Sequence, residues 1–127
     1  MTNPKTKIET EYLMTLHAPI AGTPLPVNGA LTIFHSTGGW AKGPRIGGAI
    51  VPPTGDWLRA TPDGSLRVDA RMTVKTDDGA LIHVAYGGVI SVSNANFARM
   101  AAGGTLTADD MYFVTAPTFE TAHEKYA

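Results

Sequence analysis

Residues 38–88 read GGWAKGPRIGGAIVPPTGDWLRATPDGSLRVDARMTVKTDDGALIHVAYGG, and this stretch decides the fold. Its clearest part is Leu66–Lys75. There Leu66, Val68, Ala70, Met72 and Val74 alternate with Arg67, Asp69, Arg71, Thr73 and Lys75. A period of two puts all the apolar side chains on one face of a strand. Asp77-Asp78-Gly79 follows, and an Asp-Gly pair between alternating segments is a strong hairpin signal, expected here as a type I′ turn. The return strand Ala80–Tyr86 sorts Leu81, His83 and Ala85 to one face and Ile82, Val84 and Tyr86 to the other. Upstream, Thr61-Pro62-Asp63-Gly64 is a second turn. It closes a short strand begun at Asp56-Trp57-Leu58-Arg59, which itself follows an expected turn at Pro52-Pro53-Thr54-Gly55. Ile46–Val51 is read as the strand before that turn.

Outside this stretch the same grammar continues. Ile8–His17 alternates as a strand, Pro19–Asn28 carries three prolines and reads as a loop, and Gly29–Ser36 is a strand. Ser93–Ala102 is the helical segment, with Ser93 or Asn94 to cap it and Gly103 to end it. Met111–Thr115 is a further strand, and Phe119–Thr121 with Glu124–Ala127 closes the chain. The expected fold is all-β: a small antiparallel β-barrel of about eight strands with one short helix. A sandwich is the alternative. Closure is preferred because open edges invite aggregation and nothing in the sequence reads as an edge-covering helix. Residues 1–7 are polar and expected to fray, and residues 8–127 form one domain.

Composition narrows the function classes. The chain has 127 residues, no cysteine and a formal net charge of −1. Thiolate catalysis, thiolate metal sites and disulfides are excluded, and a reducing, cytoplasmic setting is expected. The near-neutral charge, with basic residues scattered, argues against nucleic-acid partners. No apolar run reaches the roughly 18 residues of a membrane span, and no apolar leader segment is seen. The glycines around Trp40 lack the lysine and Ser/Thr of a phosphate-binding loop. His17, His35 and His123 have no ligand spacing with carboxylates, so no metal is expected. No Gly-x-Ser-x-Gly elbow occurs, and no cofactor is implied.

The ordered set Gly38, Gly39, Gly43, Pro44, Gly48, then Gly55-Asp56-Trp57, then Asp63-Gly64, Asp69-Ala70-Arg71, Asp78-Gly79, and finally Phe119-Glu120-Thr121 with Tyr126 resembles a bacterial family. It is the domain of unknown function 3237, also called uncharacterised protein family 0311. The resemblance runs from about Tyr12 onward and implies a small β-barrel. It also implies a further strand after the final tyrosine, whereas this chain stops at Ala127, and Tyr86 stands where an asparagine is common.

The candidate site residues have two readings each. Asp56 and Trp57 sit at a strand entrance, where a carboxylate and a large aromatic could clamp a ring and move a proton; otherwise they are a turn cap and a core residue. Asp69 and Arg71 share one strand face. Turned inward they make a polar feature of a pocket; turned outward they are an ordinary ion pair. His83 suits acid–base work near neutral pH or a bland surface position. Tyr86 is a phenol donor or a core tyrosine, and Glu120 pairs with Arg71 or faces solvent. Asp56, His83 and Tyr86 are the catalytic candidates; Trp40, Trp57, Asp69, Arg71 and Glu120 are the ligand-binding ones. The expected function is a barrel that holds a small organic molecule, with a lean towards a cofactor-independent isomerase, cyclase or lyase. The alternatives are a non-catalytic carrier and a structural oligomer. A homo-oligomer is expected because an uncovered edge calls for a partner.

Overall fold

The structure, a computed structural model, describes Pro4 and residues 6–127, so the frayed start expected over residues 1–7 falls largely outside the described part. In chain order the elements are β1 (Thr15–His17), β2 (Ala21–Pro26), β3 (Leu31–Ser36), β4 (Gly39–Lys42), β5 (Gly47–Ala60), β6 (Leu66–Thr76), β7 (Leu81–Val92), α1 (Asn94–Ala101) and β8 (Met111–Glu120), then a 3-10 turn at Glu124–Tyr126. All the strand pairs are antiparallel. The eight strands and single α-helix are the all-β architecture the alternation predicts, in the form of one strongly curled sheet, a half-barrel. Its order is β1-β4-β5-β6-β7-β8, with β3 on the second half of β5 and β2 on β3. No ladder among the described residues joins β8 back to β1 or β2. The gap between them opens the concave side.

Three sequence expectations are corrected. Pro52-Pro53-Thr54-Gly55 is not a turn between strands, because β5 runs straight through it. The ladder to β6 shifts register between Val51 and Gly55, around two prolines that have no N–H to donate. The Pro19–Asn28 loop contains β2, which pairs with β3 from the far side of β5. The first strand is only Thr15–His17 rather than Ile8–His17. Conversely, β8 extends past Pro117 to Glu120, which an edge strand permits because one side of its backbone faces no partner.

Both predicted hairpins are found, by a different turn. Gly79 (φ 88°) and Gly64 (φ 85°) are left-handed, but no non-glycine residue among the described ones has positive φ, which excludes type I′ at Asp77-Asp78. In each loop the Thr-x-Asp-Gly sequence folds alike. The glycine N–H donates to the threonine carbonyl, Gly79 to Thr76 at 2.9 Å and Gly64 to Thr61 at 3.0 Å, and the threonine hydroxyl donates to the aspartate. This is the three-residue hairpin with a left-handed glycine at its end.

The packed core lies at one end of the half-barrel, where Ala41, Ile50, Met72, Val74, Ile82 and Val84 are all buried. The 3-10 turn is tied over this end by the Tyr126 hydroxyl, which donates to Asp78 at 3.0 Å, and by Lys125 at 3.2 Å. The other end is not filled. Helix α1, capped as expected by Ser93 Oγ accepting from the Asn96 N–H at 3.1 Å, leads into β8. An Arg99–Asp110 ion pair of 2.9 Å fastens the helix there.

Candidate functional site

Residues paired across an antiparallel ladder share a face. Ala70, 2% exposed, marks the concave face of β6. Its partners are Asp56 on β5 and Tyr86 on β7, and these pair in turn with Phe34 on β3 and Pro117 on β8. One row therefore crosses the sheet: Phe34, Asp56, Ala70, Tyr86, Pro117. The carboxylate and the phenol flank the smallest side chain of the row, with their strands about 10 Å apart.

Above this row lies a cavity of about 360 Å³. Its walls include Leu58, Leu66, Met72, Ile90 and Phe113, with Met100 of α1 at one end. A second cavity of about 270 Å³ lies towards Leu13–Leu16 and β8, and Tyr86 and Phe113 line both. The larger cavity is nearly all hydrocarbon. Among the described residues its titratable lining residues are Asp56, Tyr86 and His35, and no lysine or arginine contributes to it.

Asp56 Oδ1 accepts the Asp69 N–H at 3.0 Å. Neither Trp57–Asp69 nor Leu58–Val68 forms a regular ladder pair, so this carboxylate serves a backbone donor where β5 and β6 separate. Among the described residues Oδ2 has no protein hydrogen bond, and neither does the Tyr86 hydroxyl; neither atom is sealed from solvent, and both residues are half-buried. Burial raises the Asp56 pKa above the ordinary aspartate value; the Asp69 N–H works against the shift and the Asp69 charge adds to it. Burial likewise raises Tyr86, helped by the negative charge of Asp56. The site thus presents a carboxylate more basic than usual and a phenol held in its protonated, donating form.

The other candidates lie on the convex face. Asp69 and Arg71 are both exposed and 3.9 Å apart, the outward alternative, and their ion pair is worth less than about 1 kcal/mol. The Arg71 guanidinium sits 5.5 Å from the centroid of the Trp57 ring, which is 37% exposed. Trp40 stacks on His17 at 5.2 Å with the Lys42 ammonium 4.9 Å from its centroid. His83 pairs with Thr73 and Glu120 on the face opposite Val84, so it is separated by the sheet from Asp56 and Tyr86. Glu120 is exposed and forms no ion pair with Arg71. Two of the three catalytic candidates meet, and the ligand-binding set does not join them. The sequence reading passed over Ala70, Leu58, Leu66, Ile90 and Phe113 as site residues. For Leu66 and Ala70 the signal was the β6 alternation, which puts both on the apolar face. Among the described residues no group of three His, Asp or Glu side chains is placed to hold a metal ion.

Comparison with known proteins places this geometry. The sequence profile described as "Protein of unknown function (DUF3237)" matches residues 8–127. A UPF0311 protein of Rhodopseudomonas palustris is 29% identical over 122 residues, spanning 94% of this chain and 80% of the relative. One from Clostridium acetobutylicum is 28% identical over 113 residues, 89% of this chain and 72% of the relative. Among solved structures, a conserved protein of unknown function from Rhodopseudomonas palustris superposes with a TM-score of 0.86 at 29% identity, over 96% of this chain and 81% of that one. A β-barrel-like protein from Acinetobacter baumannii gives 0.61 at 25% identity, over 92% and 82%. The chain belongs to the DUF3237 family.

Proposed function

We propose that this family member holds a small, largely apolar organic molecule in the concave cavity and moves a proton on it with Asp56. The observation that carries the reading is the row Asp56–Ala70–Tyr86 beneath an apolar cavity, with Asp56 Oδ2 and the Tyr86 hydroxyl free of protein partners. Both residues are half-buried beside hydrocarbon, and their unpartnered polar atoms are open to a ligand or to water from the cavity. A cavity of about 360 Å³ is the size of a small-molecule site. A basic carboxylate beside a donating phenol suits cofactor-independent proton transfer, the chemistry of an isomerase, cyclase or lyase. The predominantly hydrocarbon lining also suits a carrier with the same pocket and no turnover.

Calorimetric titration with β-naphthol and β-naphthoate, two flat aromatics differing mainly in charge, tests the pocket. β-Naphthol is expected to bind with a negative heat-capacity change, and Ala70→Leu to abolish that binding. β-Naphthoate is expected to bind at least tenfold more weakly, since no lysine or arginine among the described residues lines the cavity and Asp56 repels it. Binding that ignores Ala70→Leu but disappears in Trp57→Ala would move the site to the convex face and end the proposal.

A further inference from the structure

Resting on that reading, we propose that the substrate class is an uncharged cyclic carbonyl compound with an enolisable C–H, whose oxygen is held by Tyr86 and whose proton is moved by Asp56. The placement comes from the row itself. A flat ring laid on the Ala70 methyl would meet the carboxylate at one edge and the phenol at the other, because the two side chains rise from strands on either side of β6. Asp56 is half tethered: Oδ1 is occupied by the Asp69 N–H at 3.0 Å, which leaves Oδ2 as the oxygen that faces a ligand. The Tyr86 hydroxyl is a donor with no protein acceptor among the described residues, so it is available to an oxygen on the bound molecule. Both preferences together describe a molecule that offers a C–H or O–H on one side and an oxygen acceptor on the other.

Charge excludes the main competitors. An anionic ligand would bring a second negative charge beside Asp56, with no lysine or arginine among the described residues of the lining. An ammonium would find one carboxylate and otherwise hydrocarbon, and a single partner does not offset its desolvation. A neutral carbonyl avoids both costs.

The proton balance closes without a further reactant. Asp56 Oδ2 takes the proton from the carbon α to the carbonyl, and the C–H electron pair moves through the new C=C bond onto the carbonyl oxygen. The Tyr86 O–H hydrogen-bonds that oxygen as its charge grows, and a donor so placed is typically worth about 100-fold or more in rate. The carboxylic acid then returns the proton to the same carbon, or to the γ-carbon of a conjugated substrate, which is an isomerisation.

The probe is β-tetralone in deuterium oxide, with loss of the α-CH signals followed by NMR and β-naphthol as a mimic of the enolate. The wild-type protein is expected to accelerate exchange at least tenfold over buffer, Asp56→Asn to remove the acceleration while still binding β-naphthol, and Tyr86→Phe to remove most of it. Thermal melts of both variants establish that they are folded. Both probes bound without exchange, or exchange unaffected in Asp56→Asn, would overturn the carbonyl assignment and leave the pocket standing. Binding of neither probe would overturn both.

Discussion

Ala41 and Ala70 are both buried alanines on the concave face, 0% and 2% exposed, but one lies in the packed end of the half-barrel and the other under the cavity. The same substitution should therefore have opposite effects. Ala→Leu adds three carbons. Seated in empty space at position 70 they gain about 2.4 kcal/mol, at about 0.8 kcal/mol per buried methylene. Freezing the leucine side chain returns about 0.5–1 kcal/mol of this, so Ala70→Leu is expected to stabilise by about 1–2 kcal/mol. At position 41 there is no space, and overpacking costs about 1–3 kcal/mol. The assay is urea unfolding followed by tryptophan fluorescence, with an unchanged m-value as the check that only stability moved. A melting shift of about 3–6 °C per kcal/mol is expected for a domain of this size. A loss of 1 kcal/mol or more in Ala70→Leu, comparable to Ala41→Leu, would show that the floor between Asp56 and Tyr86 is packed and that no ligand fits there.

Asp56 should reveal itself in the pH dependence of stability. Its pKa is raised in the folded state, so the native chain binds more protons than the unfolded one just above the ordinary aspartate value, and stability falls as pH rises through that window. Asp56→Asn, which keeps an oxygen for the Asp69 N–H, is expected to be more stable than wild type at neutral pH; an equal or lower unfolding midpoint contradicts the raised pKa of this half-buried carboxylate. Asp78 behaves oppositely. The Thr76 hydroxyl first, then Tyr126 and Lys125, hold it well below the usual carboxylate range, so its contribution is present above the ordinary aspartate value and is lost on acidification below it. Asp78→Asn should remove that acid-side loss and loosen the 3-10 turn, read as faster amide exchange at Tyr126. Trp57→Ala and Arg71→Ala should leave β-naphthol affinity within about twofold, because both lie on the convex face; a tenfold loss in calorimetry refutes the assignment of faces. Strand β8 exposes Tyr112, Phe113 and Val114 on an unpaired edge, so Val114→Lys is expected to lower any self-association seen by sedimentation.

Much of the sheet was readable because β6 alternates strictly and the hairpins at its two ends turn on Asp-Gly. The inner face of β6 follows directly from Val68, Met72 and Val74. What was not readable is how Asp56 relates to that face. Two prolines suggested a turn, and with the strand broken there nothing set the register of Asp56 against Ala70. The continuous, register-shifted β5 supplies it. The same strand carries Trp57 to the opposite side, which parts two adjacent residues that look like one clamp in the sequence. Asp69 and Arg71 were correctly paired, but only the burial of Val68 and Ala70 turns them outward. His83 was drawn into the site by its chemistry, although its own alternation with Ile82 and Val84 already assigned it to the other face. Strand β2 was hidden because its prolines and glycine read as loop, and it survives as an edge strand where missing donors cost little.

The most direct measurement is a crystal structure of the protein soaked with β-naphthol. Density is expected in the cavity with the rings on the Ala70 methyl and the hydroxyl within hydrogen-bonding distance of Asp56 Oδ2 or the Tyr86 hydroxyl. An empty cavity, or density against Trp57 and Arg71 on the convex face, would contradict a ligand site inside the half-barrel.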